Sequence, residues 1–169
     1  SGGSAGGVLD NYGQEWTETD KMEKVNQFRL RMVSDPNFTK DKISHAILYK
    51  DSVERGLVKN LNDKNIDAIL KVDSGNTPEG TLKVFDLDGM IRFALQHGCV
   101  GTKMRSIVKD RWHVSPILDQ QFIFAQRIAN AGLIPIVEPE VPIDIMNKDS
   151  YEIELESQLQ NRCRDFEGK

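Results

Sequence analysis

Apolar residues in this chain fall into four short runs, residues 43–49, 68–72, 98–103 and 133–138, separated by stretches with helical periodicity. The runs lack the apolar–polar alternation of a strand with one wet face, so they predict fully buried strands. Before the first run, Thr17 is placed to cap a helix, with Asp20 three residues on and Met22, Val25, Phe28 and Met32 as its apolar stripe. After Asp86, the residues Leu87, Met90, Ile91, Ala94 and Leu95 recur at the spacing of a one-sided helix. Ser115-Pro116 opens a third helix carried by Leu118, Phe122, Ala125 and Ala129, and Gly132 closes it. A polar helix over residues 149–161 completes the pattern.

Strand and helix in strict alternation predict an α/β fold with a parallel sheet and helical crossovers. Four strands alone would leave two open sheet edges. The sequence opens directly on the glycine-rich turn Ser1-Gly2-Gly3-Ser4. Both features read as the middle of a larger domain. The chain has 169 residues, with 38% hydrophobic and 28% charged content, which suits one globular domain rather than a disordered chain. A net charge of -4 argues against nucleic-acid binding through bulk charge. No apolar stretch approaches the length of a membrane span. Cys99 and Cys163 lack metal-ligand spacing, and Cys99 lies in an apolar run, so free thiols in a reducing cytoplasm are expected. The scattered His45, His97 and His113 predict no metal site.

Charged residues gather where the predicted strands end. Lys71 and Asp73 follow the second run as Lys-Val-Asp-Ser-Gly, either a strand ending in solvent or an ammonium aimed at a phosphate or carboxylate. Lys103 and Arg105 are two apart, so on a continuing strand they share one side. Glu138 and Glu140 share a side in the same way, with Pro139 setting a turn between them. A carboxylate beside fixed cations can be tuned for acid–base work, or can serve only as a structural ion pair. Cations and carboxylates at successive strand ends describe the catalytic rim of a β/α barrel. Ser1-Gly2-Gly3-Ser4 has the backbone N–H groups and hydroxyls to hold a phosphate, and equally the composition of a linker.

The order Ser1-Gly2-Gly3-Ser4, Ala46-Ile47-Leu48, Leu70-Lys71-Val72-Asp73, Gly101-Thr102-Lys103-Met104-Arg105-Ser106 and Pro135-Ile136-Val137-Glu138-Pro139-Glu140 resembles class I fructose-bisphosphate aldolase, in its bacterial-type branch. The last two motifs are the specific ones. The resemblance implies a parallel (β/α)8 TIM barrel. Residues 1–169 would then be a single incomplete domain, from the loop after strand one through strands two to five and the helix after strand five. It implies a lyase that cleaves fructose 1,6-bisphosphate reversibly to dihydroxyacetone phosphate and glyceraldehyde 3-phosphate through a lysine Schiff base. No metal and no cofactor take part.

Carried over by position, Ser1, Ser4 and Lys71 match groups that hold the phosphate of the aldehyde-derived half. Lys103 matches the lysine that polarises the substrate, and Arg105 its supporting cation. Glu138 matches the acid–base group that helps expel water as the iminium forms. Glu140 matches a glutamate that pairs with the lysines. The sequence departs from the pattern as well. The Schiff-base lysine of strand six and an aspartate ahead of the first turn have no counterpart in these residues. Ala5-Gly6-Gly7-Val8 stands where a basic residue is common, and Ser74 where many relatives have lysine. These 169 residues alone are therefore expected to be inactive, since such groups fail together when one is lost. The implied partner is a small sugar phosphate, with no nucleic acid and no membrane, and a homo-oligomer is left open. Another phosphosugar Schiff-base lyase on the same barrel, or a non-catalytic scaffold protein, are the rival readings.

Overall fold

The computed structural model describes residues 16–166. Four parallel strands, β1 (His45–Leu48), β2 (Asp67–Lys71), β3 (Gly101–Ile107) and β4 (Ile134–Glu140), form one sheet in the order β1-β2-β3-β4. Sequence order and spatial order coincide, so every crossover runs the same way round. That is the winding of a β/α barrel, here as an arc of four strands.

The helices are α1 (Glu18–Ser34), α2 (Lys50–Glu54), α3 (Leu57–Asn62), α4 (Leu87–Gln96), α5 (Val114–Asn130) and α6 (Lys148–Asp165), with a single 3-10 turn at Arg111–His113 before α5. Thr17 and Asp20 form the reciprocal capping box expected of them. Asp86 caps α4 by accepting from Gly89 N at 2.8 Å. Gly132, with φ +86, ends the turn after α5 in a conformation that glycine adopts without strain. The pair α2 and α3 is absent from the sequence expectation, because each is too short to show a period.

The strands differ from the expectation in burial. Only β2 is buried along its middle, while β1 and β4 alternate. Ala46, Leu48, Ala68, Leu70, Val72, Met104 and Val137 face the helices and join Leu61, Leu87, Ile91, Ala125 and Ile128 in the core. The opposite face carries Ile47 and Ile134, 51% and 54% exposed. These strands are apolar on both sides because the sequence is written for two covered faces, and among the described residues only one is covered. On α1, Val25 and Val33 are buried with Asn26, whereas Phe28 and Met32 are exposed, so the expected stripe is rotated. The cause is polar: Arg29 turns inward and donates to Ser52 Oγ at 2.8 Å.

The ends of β3 and β4 also move. Met104, Arg105 and Ser106 lie inside β3, and β4 continues straight through Pro139 with no turn. Ile134 N donates to Val100 O and Glu140 O accepts from Val108 N, so the alternate positions, Pro135 and Pro139, sit where no N–H is asked of the ladder. A second small core, Val108, Val114, Ile117, Leu118 and Leu155, joins α5 to α6.

Truncation should read out the two faces separately. Leu70→Ala, in the covered core, is expected to lower the unfolding free energy of the 169-residue chain by about 3 kcal/mol in urea titration. Ile47→Ala, on the open face, should cost under about 1 kcal/mol; equal losses would contradict the assignment of faces. Burial pushes the Cys99 thiol up from 9.0 to about 11, whereas Cys163 is exposed. Between those values the unfolded chain gives up its Cys99 proton first, so stability should fall as pH rises from 9 to about 11. Cys99→Ala should flatten that part of the alkaline slope, and iodoacetamide at pH 8 should label Cys163 alone in the folded chain.

Candidate active site

Strand register decides which charged groups can meet. Ile47, Ile69, Gly101 and Ile134 are aligned across the four strands, and Lys71, Lys103 and Ile136 form the next row. Arg105 is aligned with Glu138, and Ile107 with Glu140. Side chains two apart share a face. Lys71, Lys103, Arg105, Glu138 and Glu140 therefore all stand on the open face, at the carboxyl ends of the strands. An apolar row lies beneath them.

Gly101 matters to that lower row. A Cβ there would lie 2.4 Å from Ile134 O and 2.9 Å from the Ile69 Cδ1 methyl. The missing side chain lets Ile69 lie across β3 and fill the floor.

The ion pairs run diagonally, each cation reaching the carboxylate beyond its register partner. Lys103 pairs with Glu138, and Arg105 Nη1 lies 2.8 Å from Glu140 Oε2. Among the described residues the ion-pair partner of Glu140 is Arg105. The two pairs differ in setting, since the Lys103 side chain is 11% exposed and that of Arg105 is 45% exposed. A shielded ammonium against a half-exposed carboxylate keeps its field, whereas the outer pair is screened. Lys71 forms a third pair, 2.7 Å from Asp73 Oδ1. Ser1 and Ser4 lie outside the described residues. Among the described residues no cluster of His, Cys, Asp or Glu is arranged to hold a metal, and no helix is long and apolar enough to cross a membrane.

Three further residues support the site, of which the sequence marked Asp73 only as a strand-end charge. Asp73 accepts from Arg105 N at 3.2 Å as well as from Lys71. Asn76 donates to Arg105 O at 2.9 Å. Gln121, fully buried on α5, accepts from Glu138 N at 3.1 Å. The Asp-Ser-Gly sequence at 73–75 is a turn signal that could have marked Asp73 as an acceptor of backbone N–H groups. A glutamine on a buried helix stripe is a polar break in an apolar pattern, visible but without a stated partner. Tyr49, Lys71, Asp73, Ser74 and Arg92 line a cleft of about 600 Å³ beside this rim.

No protein-family model matches the chain. It is 38% identical over 179 aligned residues to the fructose-bisphosphate aldolase class 1 of Synechocystis sp., an alignment that takes in 94% of this chain and 59% of that protein. The two are homologues, and the chain spans less than two thirds of its curated relative's length. Among solved structures, the chain resembles 3-dehydroquinate dehydratase from Geobacillus kaustophilus, with a TM-score of 0.40, 14% identity, and coverage of 90% of this chain and 65% of that one. The type I enzyme from Clostridium difficile gives a TM-score of 0.38 at 9% identity, covering 89% of this chain and 65% of that one. Both likenesses are too loose to bear on chemistry.

The two pairs between β3 and β4 should differ in stability as they differ in burial. Glu140→Gln is expected to change the unfolding free energy by less than about 0.5 kcal/mol. Glu138→Gln, which strips the partner from a shielded ammonium, should cost about 1–2 kcal/mol. Urea midpoints of the two variants check the order.

Proposed function

We propose that this chain is the central part of a class I fructose-bisphosphate aldolase, strands two to five of an eight-stranded barrel, acting on a sugar phosphate in the cytoplasm. The observation that carries the reading is homology to such an enzyme over 94% of the chain. The placement of Lys71, Lys103, Arg105, Glu138 and Glu140 on one face at the strand ends supports it.

The chemistry is that implied by the resemblance to class I aldolases. An amine of a lysine outside these residues attacks the C2 ketone, and the carbinolamine loses water to give an iminium. The C3–C4 bond then breaks, its electron pair passing into the iminium as an enamine while the C4 hydroxyl proton goes to a base. Lys103, shielded and cationic, stabilises charge at the C2 oxygen. Glu138, in contact with Lys103, gives the proton that lets hydroxide depart as water. Arg105 and Glu140 hold the outer end of this array at a fixed charge. Lys71, with Ser1 and Ser4, holds the phosphate of the aldehyde half. Splitting the bisphosphate, and its reverse, places the enzyme in glycolysis and gluconeogenesis.

Borohydride reduction in the presence of dihydroxyacetone phosphate, read by intact mass on the polypeptide isolated from its source, tests the reading. A reduced adduct on a lysine outside these residues is expected. An adduct on Lys103 would overturn its assigned role, and trapping without cleavage of fructose 1,6-bisphosphate would point to a lyase for another phosphosugar. In the active enzyme, Lys103→Met should lower kcat by more than about 100-fold with the fold retained by circular dichroism.

A further inference from the structure

We infer that Asp73 is a positioning residue that fixes Lys71 for the phosphate at the aldehyde end of the substrate, and so sets the preference for a bisphosphate over a monophosphate. The inference rests on the proposed aldolase reading and deepens it. Asp73 has a side chain only 4% exposed. Lys71 Nζ donates to Asp73 Oδ1 and to Asp73 O, both at 2.7 Å. Two of the three ammonium N–H bonds are thereby fixed. The remaining N–H is left for a ligand, and the ammonium lies 5.5 Å from the centre of the Tyr49 ring. Arg29 sits against that ring too, at 4.6 Å, so the ring is held in place.

The same carboxylate reaches a second strand. Asp73 Oδ2 accepts from Arg105 N at 3.2 Å, and Oδ1 also accepts from Gly75 N at 3.3 Å. One buried group thus fixes an ammonium on β2 and the backbone of a cation on β3. A lysine has a long, freely rotating stem, and its use as an anion ligand depends on how much of that freedom is lost before the ligand arrives. Asp73 also carries a negative charge, which opposes an anion nearby. The geometry makes position the larger effect, because Asp73 takes Lys71 through a backbone carbonyl as well as the carboxylate and leaves one donor pointing away from both.

The test compares fructose 1,6-bisphosphate with fructose 1-phosphate, which lacks the phosphate at the aldehyde end, using the complete active enzyme. Asp73→Asn is expected to reduce the ratio of kcat/KM values, bisphosphate over monophosphate, at least tenfold, mainly through KM for the bisphosphate. In a Lys71→Met background, the same change should reduce the ratio by less than twofold. Asp73→Glu keeps the charge and displaces it by one methylene, and it should lower the ratio too if the Asn variant does not fold. An equal fall for both substrates would make Asp73 merely structural, and an unchanged or increased ratio would mean that its charge outweighs its placement; either result overturns the inference. If the unaltered enzyme cleaves neither sugar phosphate, the aldolase reading itself has failed, which is a separate result.

Discussion

Unequal strand length is the constraint on which the rest of this structure depends. β2 ends at Lys71, aligned with Lys103, while β3 runs on to Ile107. Backbone groups of β3 on that side need partners, since a buried amide left unpaired costs more than a bonded one gains. The loop after β2 supplies them in order. Val72 N donates to Lys103 O, Asp73 takes Arg105 N, Asn76 takes Arg105 O, and Gly80 O takes Ile107 N. The loop closes on itself through a bridge between Asn76 and Leu82, and Gln120 of α5 clamps both backbone groups of Leu82. Gly80 makes this docking possible, because its φ is +93 and a Cβ would fall 1.8 Å from Ile107 O. The chain is thus led back across β3 by hydrogen bonds, and the charged rim is aligned as a by-product.

The sheet divides its labour by face. Packing on the helix side is apolar and shielded, and it supplies cohesion without specifying chemistry. The other side places one ion pair at the end of β2 and two between β3 and β4, above a row of isoleucines. Low-polarity ground below and fixed counter-charges on either side are the conditions in which a lysine and a glutamate can exchange protons with a bound substrate.

Much of this was legible in the sequence, and the rest had physical reasons to be hidden. The positions of the strands, the capping box at Thr17 and the shared side of Lys103 and Arg105 follow from local pattern, which the fold did not override. The one-sided exposure of β1 and β4 was hidden because apolar residues report what a strand is built to pack against, not what covers it among the described residues. Arg29 on α1 displaced Phe28 from the buried stripe through partners more than twenty positions away, Asp51 and Ser52, which no window on the helix contains. Pro139 suggested a turn because proline breaks an interior strand, yet it sits where β4 needs no donor. In the site itself, charged residues were legible by type, Asp73 among them, whereas the contacts of Asp73, Asn76 and Gln121 with backbone groups of other strands were not. That is tertiary information.

The two prolines of β4 have one more effect, on which strand can pair with the edge that β4 leaves open among the described residues. Along the outer edge of β4 the backbone presents carbonyls at every outward position, but Pro135 and Pro139 remove the amides beside them. A second β4 brought alongside would offer acceptors to acceptors, with Val137 as the donor between the prolines. Such an edge resists growth into an extended cross-strand stack, even with Ile134 and Ile136 beside it. It can still accept a neighbour of a different sequence, one that brings its own N–H groups to the carbonyls already waiting.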